Sequence, residues 1–177
     1  MTTPTVVLVG MPGAGKSTIG RRLSRALNEP LTDSDHLIEE LAGKPCGQVF
    51  TDLGETRFRE LEADVVASAL EREGIVSLGG GSVMSEATRK RLQSHTVVYL
   101  EISLEEGIRR TLREQDRPVL AADDPVEHYR GLMVIRHPQF EEVATYRVSS
   151  DERSPQRVVA EVLSFLEAAN LEERTLT

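Results

Sequence analysis

The sequence predicts an α/β fold, a parallel sheet covered by helices on both faces within one domain. Two observations carry that expectation: short β-branched runs alternate with longer stretches of helical period, and a glycine-rich segment joins the first run to the first helix. Right-handed crossovers then bring successive strands into one sheet, with ligands beyond the carboxyl ends of the strands.

Residues 5–9 form an apolar run closed by Gly10, too short for a helix and read as a buried parallel strand. From Lys16, Ile19, Leu23, Ala26 and Leu27 recur at helical spacing while Arg21, Arg22 and Arg25 lie elsewhere, which predicts the first helix. Residues 30–33 give a second strand, and Leu37, Ile38 and Leu41 a short helix stopped by Gly43 and Pro45. Between Gly54 and Arg72 the steps of three and four through Phe58, Leu61, Val65 and Ala69 predict a long amphipathic helix. Residues 75–78 form a strand that runs into Gly79, Gly80 and Gly81, and residues 96–100 form another. Ser103 and Glu106 make a capping box opening a helix with Leu104, Ile108 and Leu112. Residues 113–124, charged and containing Pro118, read as an exposed flap before a helix over 126–136. Residues 145–148 give the last strand. Ser154 followed by Pro155 opens a final helix that buries Val158, Val159, Val162, Leu163 and Leu166. One domain over 1–170 is expected, with a flexible tail at 171–177.

Composition narrows the partners. At 177 residues, 39% hydrophobic and 28% charged, the chain is long enough for one core and outside the disordered regime. A formal charge of −8 argues against a nucleic-acid partner, which needs clustered Lys and Arg, and in favour of a small ligand. The single cysteine, Cys46, can form no internal disulfide and suits a reducing compartment. No run approaches the ~20 apolar residues that span a bilayer, and no signal-peptide pattern opens the chain. A cytoplasmic monomer without a membrane or nucleic-acid partner is therefore the expectation.

The strongest motif is Gly10-Met11-Pro12-Gly13-Ala14-Gly15-Lys16-Ser17, which matches G-x-x-x-x-G-K-[ST] between a predicted strand and a predicted helix. Glycines let successive N–H groups point inward at phosphate oxygens, and the helix N-terminus adds partial positive charge. Lys16 reaches the β- and γ-phosphates, and the Ser17 hydroxyl suits magnesium, which prefers oxygen ligands. The reading is an ATP site. Asp33 and Asp35 follow the second strand at the same sheet edge. Either they divide magnesium binding and orientation of an acceptor hydroxyl, or they are a polar turn with Asp35 as helix cap. Arg59, with Glu55 and Glu62 on its helix, fits a solvated ion-pair face as well as a ligand site. The glycines at 79–81 either cradle an anionic group or turn the chain. Arg110, Arg113, Arg117 and Arg136 are numerous for an acidic chain and suited to fork onto phosphate or carboxylate. Ser77 ends its strand where many phosphate-loop enzymes carry a magnesium-binding Asp, so magnesium is expected to lean on Ser17 and the Asp33 side.

In their order along the chain, residues 10–17, Asp33-Ser34-Asp35, Gly54-Glu55-Thr56-Arg57-Phe58-Arg59, Leu78-Gly79-Gly80-Gly81, Arg117-Pro118-Val119-Leu120 and Arg136 with Pro138 resemble the shikimate kinase family. That family belongs to the nucleoside-monophosphate-kinase-like branch of P-loop proteins. The resemblance covers nearly the whole chain, from Val6 to about Leu166. It implies a three-layer α/β/α kinase fold with a five-stranded parallel sheet in the order 2-3-1-4-5, an acceptor-binding region near 33–62 and a mobile lid near 112–124. It also implies ATP-dependent phosphorylation of the 3-hydroxyl of shikimate, a step towards chorismate and the aromatic amino acids, with magnesium as cofactor. Carried over by position, Asp35, Lys16 and Arg117 resemble the catalytic set. Gly13, Ala14, Gly15, Lys16, Ser17, Thr18, Arg110, Arg117, Arg153 and Pro155 resemble the ATP set. Asp35, Arg59, Gly80, Gly81 and Arg136 resemble the shikimate set, with Glu62 orienting Arg59 and Phe50 and Phe58 walling the pocket. Ser17, and Asp33 through water, resemble the magnesium partners. After Pro138 the chain departs from the family with Gln139 and Phe140, where a tyrosine is common. Competing readings are a kinase for gluconate or a nucleoside monophosphate, or an ATP-binding switch.

Overall fold

A computed structural model describes residues 3–113 and 123–175. The elements follow in the order β1 (Pro4–Val9), α1 (Lys16–Leu27), β2 (Leu31–Asp33), α2 (Ser34–Ala42), α3 (Cys46–Leu53), α4 (Glu55–Ala69), β3 (Gly74–Ser77), a single 3-10 turn (Ser82–Met84), α5 (Glu86–Leu92), β4 (Val97–Glu101), α6 (Leu104–Arg113), α7 (Pro125–Val143), β5 (Tyr146–Ser149) and α8 (Pro155–Thr175). The five strands form one all-parallel sheet in the order β2-β3-β1-β4-β5, the order the resemblance implied. Helix α1 packs on α8, while α4 packs on α5 and α5 on α7, which makes the two outer layers.

Strand β1 sits between β3 and β4, and its residues 6–9 are buried on both faces, which is why they read as an unbroken apolar run rather than an alternating one. Each such Val or Leu contributes about 1.5–3 kcal/mol on burial. A smaller cluster of Ile38, Val49, Phe58 and Val65 ties α2, α3 and α4 together beside the main core. No helix among the described residues is long and apolar enough to cross a membrane.

Three elements differ from the sequence expectations. Helices α3 and α5, of 8 and 7 residues, were not expected; each is too short to show a periodic stripe and is set by local contacts. Val49 of α3 enters the small cluster, and Ser85 caps α5 by accepting from the Thr88 amide at 3.3 Å. Helix α7 does not stop before Pro138 but runs to Val143. The proline removes one backbone donor, yet Phe140 is fully buried and stacks on Tyr99 at 5.0 Å, while His137 Nδ1 lies 2.8 Å from the Tyr99 hydroxyl. Packing on β4 outweighs the lost hydrogen bond. Helix α8 spans Pro155–Thr175.

Candidate active site

A cleft of about 1120 Å³ opens where β2 and β3 end, and is lined by residues from the segment at 10–17, both aspartates, α3, α4, the glycines after β3 and α7. Its position at the carboxyl edge follows from the topology, because crossover helices leave that edge free for loops.

The phosphate loop is held by its carbonyls. Lys16 Nζ donates to the carbonyls of Gly10 at 2.8 Å and Met11 at 3.0 Å, and the Ala14 amide donates to Met11 O at 3.1 Å. Gly13 and Gly15 have φ of 84° and 92°, left-handed values that side chains disfavour, so glycine is required for the wrap. Gly15 is the N-cap of α1 without a side-chain cap, leaving the first amides of α1 to serve an anion. Gly13, Ala14, Gly15, Lys16, Ser17 and Thr18 all line the cleft.

Asp33 and Asp35 both reach the cleft, with different local roles. Asp33, not Asp35, caps α2: its Oδ1 accepts from the Asp35 amide at 2.9 Å and the His36 amide at 3.3 Å. The capping alternative for Asp35 is thereby corrected, because a cap must precede the first helical turn. Asp33 lies in register with Ser77 on β3, which is buried and also lines the cleft, so a carboxylate and a hydroxyl stand side by side at two strand ends. Asp35 Oδ1 lies 3.8 Å from the Cys46 thiol, whose ionisation is pushed upward by burial and then by Asp35. Ser34, fully buried, accepts from the Gly79 amide at 2.9 Å and pins the aspartate turn to the glycine segment. Sequence reasoning missed Ser34 and Cys46, since neither type is diagnostic alone.

The three consecutive glycines supply room rather than unusual backbone, as none has a positive φ. A Cβ on Gly79 would fall on the Asp35 carboxylate, one on Gly81 would fall on the Arg59 guanidinium, and one on Gly80 would stand 2.9 Å from Pro12 Cδ in the phosphate loop.

Arg59 does not sit on a solvated face. Its Nη1 donates to Glu62 at 2.6 Å, and Glu62 is only 2% exposed. The guanidinium also lies 5.8 Å from the Phe50 ring and 5.4 Å from the Phe58 ring, the two rings meeting edge-on at 5.2 Å. Burial raises the pKa of Glu62, with Arg59 opposing. Arg136, 7% exposed, has its pKa pulled down to about 10 by burial and by repulsion from Arg59, with Glu62 acting the other way. It remains cationic at neutral pH. Arg59 is paired with Glu62 while Arg136 feels the charges of Glu62 and Glu55, and among the described residues the Nε atoms of both Arg59 and Arg136 are buried without a hydrogen-bond partner. Such a site favours an additional anion, best a carboxylate that accepts from guanidinium forks.

At the far end, Arg110 bridges Glu106 (2.6 Å), Gly13 O (3.3 Å) and Ser150 O (2.8 Å), fixing α6 over the phosphate loop. Arg153 pairs with Glu161 and, with Pro155 and Ser150, lines the cleft beside Arg110. Arg113 is exposed. Arg117, with residues 114–122 of the expected lid, lies outside the described residues. No group of three or more His, Cys, Asp or Glu with metal-site spacing occurs among the described residues.

A phosphate loop on a parallel sheet, facing a pocket with its own carboxylate and guanidiniums, defines a P-loop phosphotransferase. The shikimate kinase family model matches residues 12–167. The chain belongs to the shikimate kinase family. The shikimate kinase of Corynebacterium efficiens is 62% identical over 167 residues, 94% of this chain and 99% of that one. The structure of shikimate kinase from Acinetobacter baumannii in complex with shikimate has a TM-score of 0.90 at 32% identity, covering 97% of this chain and 96% of that one. A gluconokinase from Sinorhizobium meliloti, at 18% identity with a TM-score of 0.59 over 97% of this chain and 94% of that one, shares the fold alone.

Proposed function

We propose that the chain transfers the γ-phosphoryl group of ATP to the 3-hydroxyl of shikimate, giving shikimate 3-phosphate and ADP, a step towards chorismate and the aromatic amino acids. The observation that carries this reading is the gathering of two guanidiniums, Arg59 and Arg136, around the buried carboxylate Glu62 in the same cleft as the phosphate loop, with Arg59 paired to Glu62. Shikimate brings both a carboxylate for those cations and a hydroxyl for Asp35. Arg59, Arg136, Gly80 and Gly81 hold the acceptor, with Glu62 aiming Arg59.

The transferred group needs positioning and charge neutralisation more than covalent help. Asp35 orients the 3-hydroxyl and accepts its proton as the oxygen bonds to the γ-phosphorus and the bond to the ADP oxygen breaks. Lys16 exchanges its loop carbonyls for the β- and γ-phosphate oxygens, and Arg117 is assigned to the transferring group on the family pattern. Gly13, Ala14, Gly15, Ser17 and Thr18 hold the phosphates; Arg110, Arg153 and Pro155 flank the base. The oxygen-only set of Ser17, Asp33 and Ser77 fits magnesium, with Asp33 acting through water. When bound, magnesium neutralises charge on the phosphate oxygens. Residues 33–62 form the acceptor region and 112–124 a lid in one domain over 1–170, with 171–177 as a tail. A cytoplasmic monomer acting on small molecules without nucleic-acid or membrane partners completes the reading: the net charge of −8 disfavours a nucleic-acid partner and the single cysteine suits a reducing compartment.

The test is ADP release in a coupled assay with shikimate, gluconate and nucleoside monophosphates as acceptors. Release should be stimulated by shikimate with stoichiometric phosphorylated product. Equal release with every acceptor, or with none, would overturn the reading.

A further inference from the structure

The phosphate loop receives a contact from α7 that none of the assigned residues explains. Tyr129 is fully buried, and its hydroxyl donates to the carbonyl of Pro12 at 2.7 Å. A buried phenol always seeks an acceptor, so the contact could be packing and nothing more. Its location argues for a larger role. The peptide joining Pro12 to Gly13 is planar and trans, so its C=O and N–H point in opposite directions. Anchoring Pro12 O against the protein interior turns the Gly13 N–H away from it, towards the cleft that Gly13 lines. Gly13 also has φ 84°, a conformation in which glycine is otherwise free to rotate, so this peptide plane gains most from an external hold.

The surroundings are shaped to keep that hold. A Cβ on Gly107 of α6 would fall on the Tyr129 hydroxyl and ring, so the phenol occupies space that Gly107 leaves open. On its other side Pro12 meets Gly80, whose Cβ would stand 2.9 Å from Pro12 Cδ. Tyr129 also stands seven residues before Arg136, two turns along α7 on the same buried side. One rigid helix therefore carries both the anchor of the donor loop and a cation of the acceptor pocket.

We propose that the Tyr129 hydroxyl is a positioning residue for phosphoryl transfer: it fixes the Pro12–Gly13 peptide so that the Gly13 amide serves the nucleotide phosphates, and through α7 it sets that loop in register with Arg136. The inference rests on the reading of the cleft as a kinase site.

The experiment compares the parent chain with Tyr129→Phe and Gly107→Ala. ADP affinity is measured by titration calorimetry, shikimate affinity without nucleotide in the same way, then kcat, both KM values and Tm. Tyr129→Phe is expected to weaken ADP and raise the KM for ATP by roughly three- to tenfold, the size of one lost buried hydrogen bond, and to lower kcat. Shikimate affinity in the absence of nucleotide should stay within about twofold, since Arg136 keeps its place. Gly107→Ala, which keeps the hydroxyl but displaces it, should give the same nucleotide-side loss and serves if Tyr129→Phe does not fold. Parent-like ADP affinity and kcat in the folded variants, with or without a lower Tm, would overturn the proposal. ADP binding needs no acceptor, so this result stands apart from the acceptor assay: failure of shikimate to stimulate release would sink the kinase reading, not the peptide anchor.

Discussion

The donor loop at residues 10–17 and the acceptor pocket meet in one cleft but are built differently. The loop is eight consecutive residues, all but Pro12 carrying a backbone N–H, with left-handed glycines at 13 and 15 and carbonyls held by Lys16, Tyr129 and Arg110. The pocket is made of side chains gathered from α2, α4, the segment after β3 and α7, and its charges are buried: Glu62 is 2% and Arg136 is 7% exposed. A backbone site tolerates change in its neighbours provided the peptide planes keep their direction. A buried side-chain site depends on each cation having its partner, because an uncompensated charge there is costly. The same fold also carries a gluconokinase, so the sheet alone does not set the acceptor.

Substitutions should separate the two halves. The largest effect is expected for Asp35→Ala, which removes the group proposed to act on the acceptor hydroxyl: kcat should fall by roughly 10²–10⁴ while ADP affinity measured by calorimetry is unchanged. Retained turnover with shikimate would remove Asp35 from the chemistry. Gly81→Ala should raise the shikimate KM by roughly tenfold with little change in the ATP KM. Its Cβ would lie on the movable end of Arg59 and not on backbone, so the fold survives and the cation is displaced. A parent-like shikimate KM would show that Arg59 is not confined as described.

Glu62→Gln should have the smallest effect, raising the shikimate KM by roughly three- to tenfold. The raised pKa of Glu62 means that folding favours its protonated form, so its contribution to stability is present at low pH and lost as pH rises through the folded pKa. In its ionised form the carboxylate serves binding at some expense of stability, and Glu62→Gln should shift Tm by no more than a few degrees. In the parent chain the shikimate KM should climb as pH falls, beginning above the range in which an exposed glutamate titrates. That acid limb should be missing from Glu62→Gln. An identical pH profile in the two proteins would show that Glu62 does not control Arg59.

The same contrast explains what was legible in the sequence. The donor loop could be read directly because its residues are contiguous and its flanking strand and helix carry clear periods. The sheet order came from the resemblance and agrees with the structure. From spacing alone Arg59 fitted a solvated ion-pair face equally well, since nothing local reveals that Glu62 is buried. The hydrogen bonds of Ser34 and Tyr129 were not legible, because their partners, Gly79 and Pro12, lie 45 and 117 residues away. The sequence shows a helix only over 126–136, whereas α7 runs through Pro138 to Val143, held there by the stacking of Phe140 on Tyr99. The glycines at 79–81 read as a turn or an anion cradle, and the structure adds that they leave space for Asp35, Pro12 and Arg59.

The most direct test of a carboxylate-holding pocket facing an independent phosphate loop is paired calorimetry of shikimate and ADP on the parent chain and Arg136→Lys. Lysine keeps the charge but lacks the planar fork, so shikimate affinity should fall by roughly tenfold or more while ADP affinity stays within about twofold. Unchanged shikimate affinity, or an equal loss for both ligands, would contradict the account.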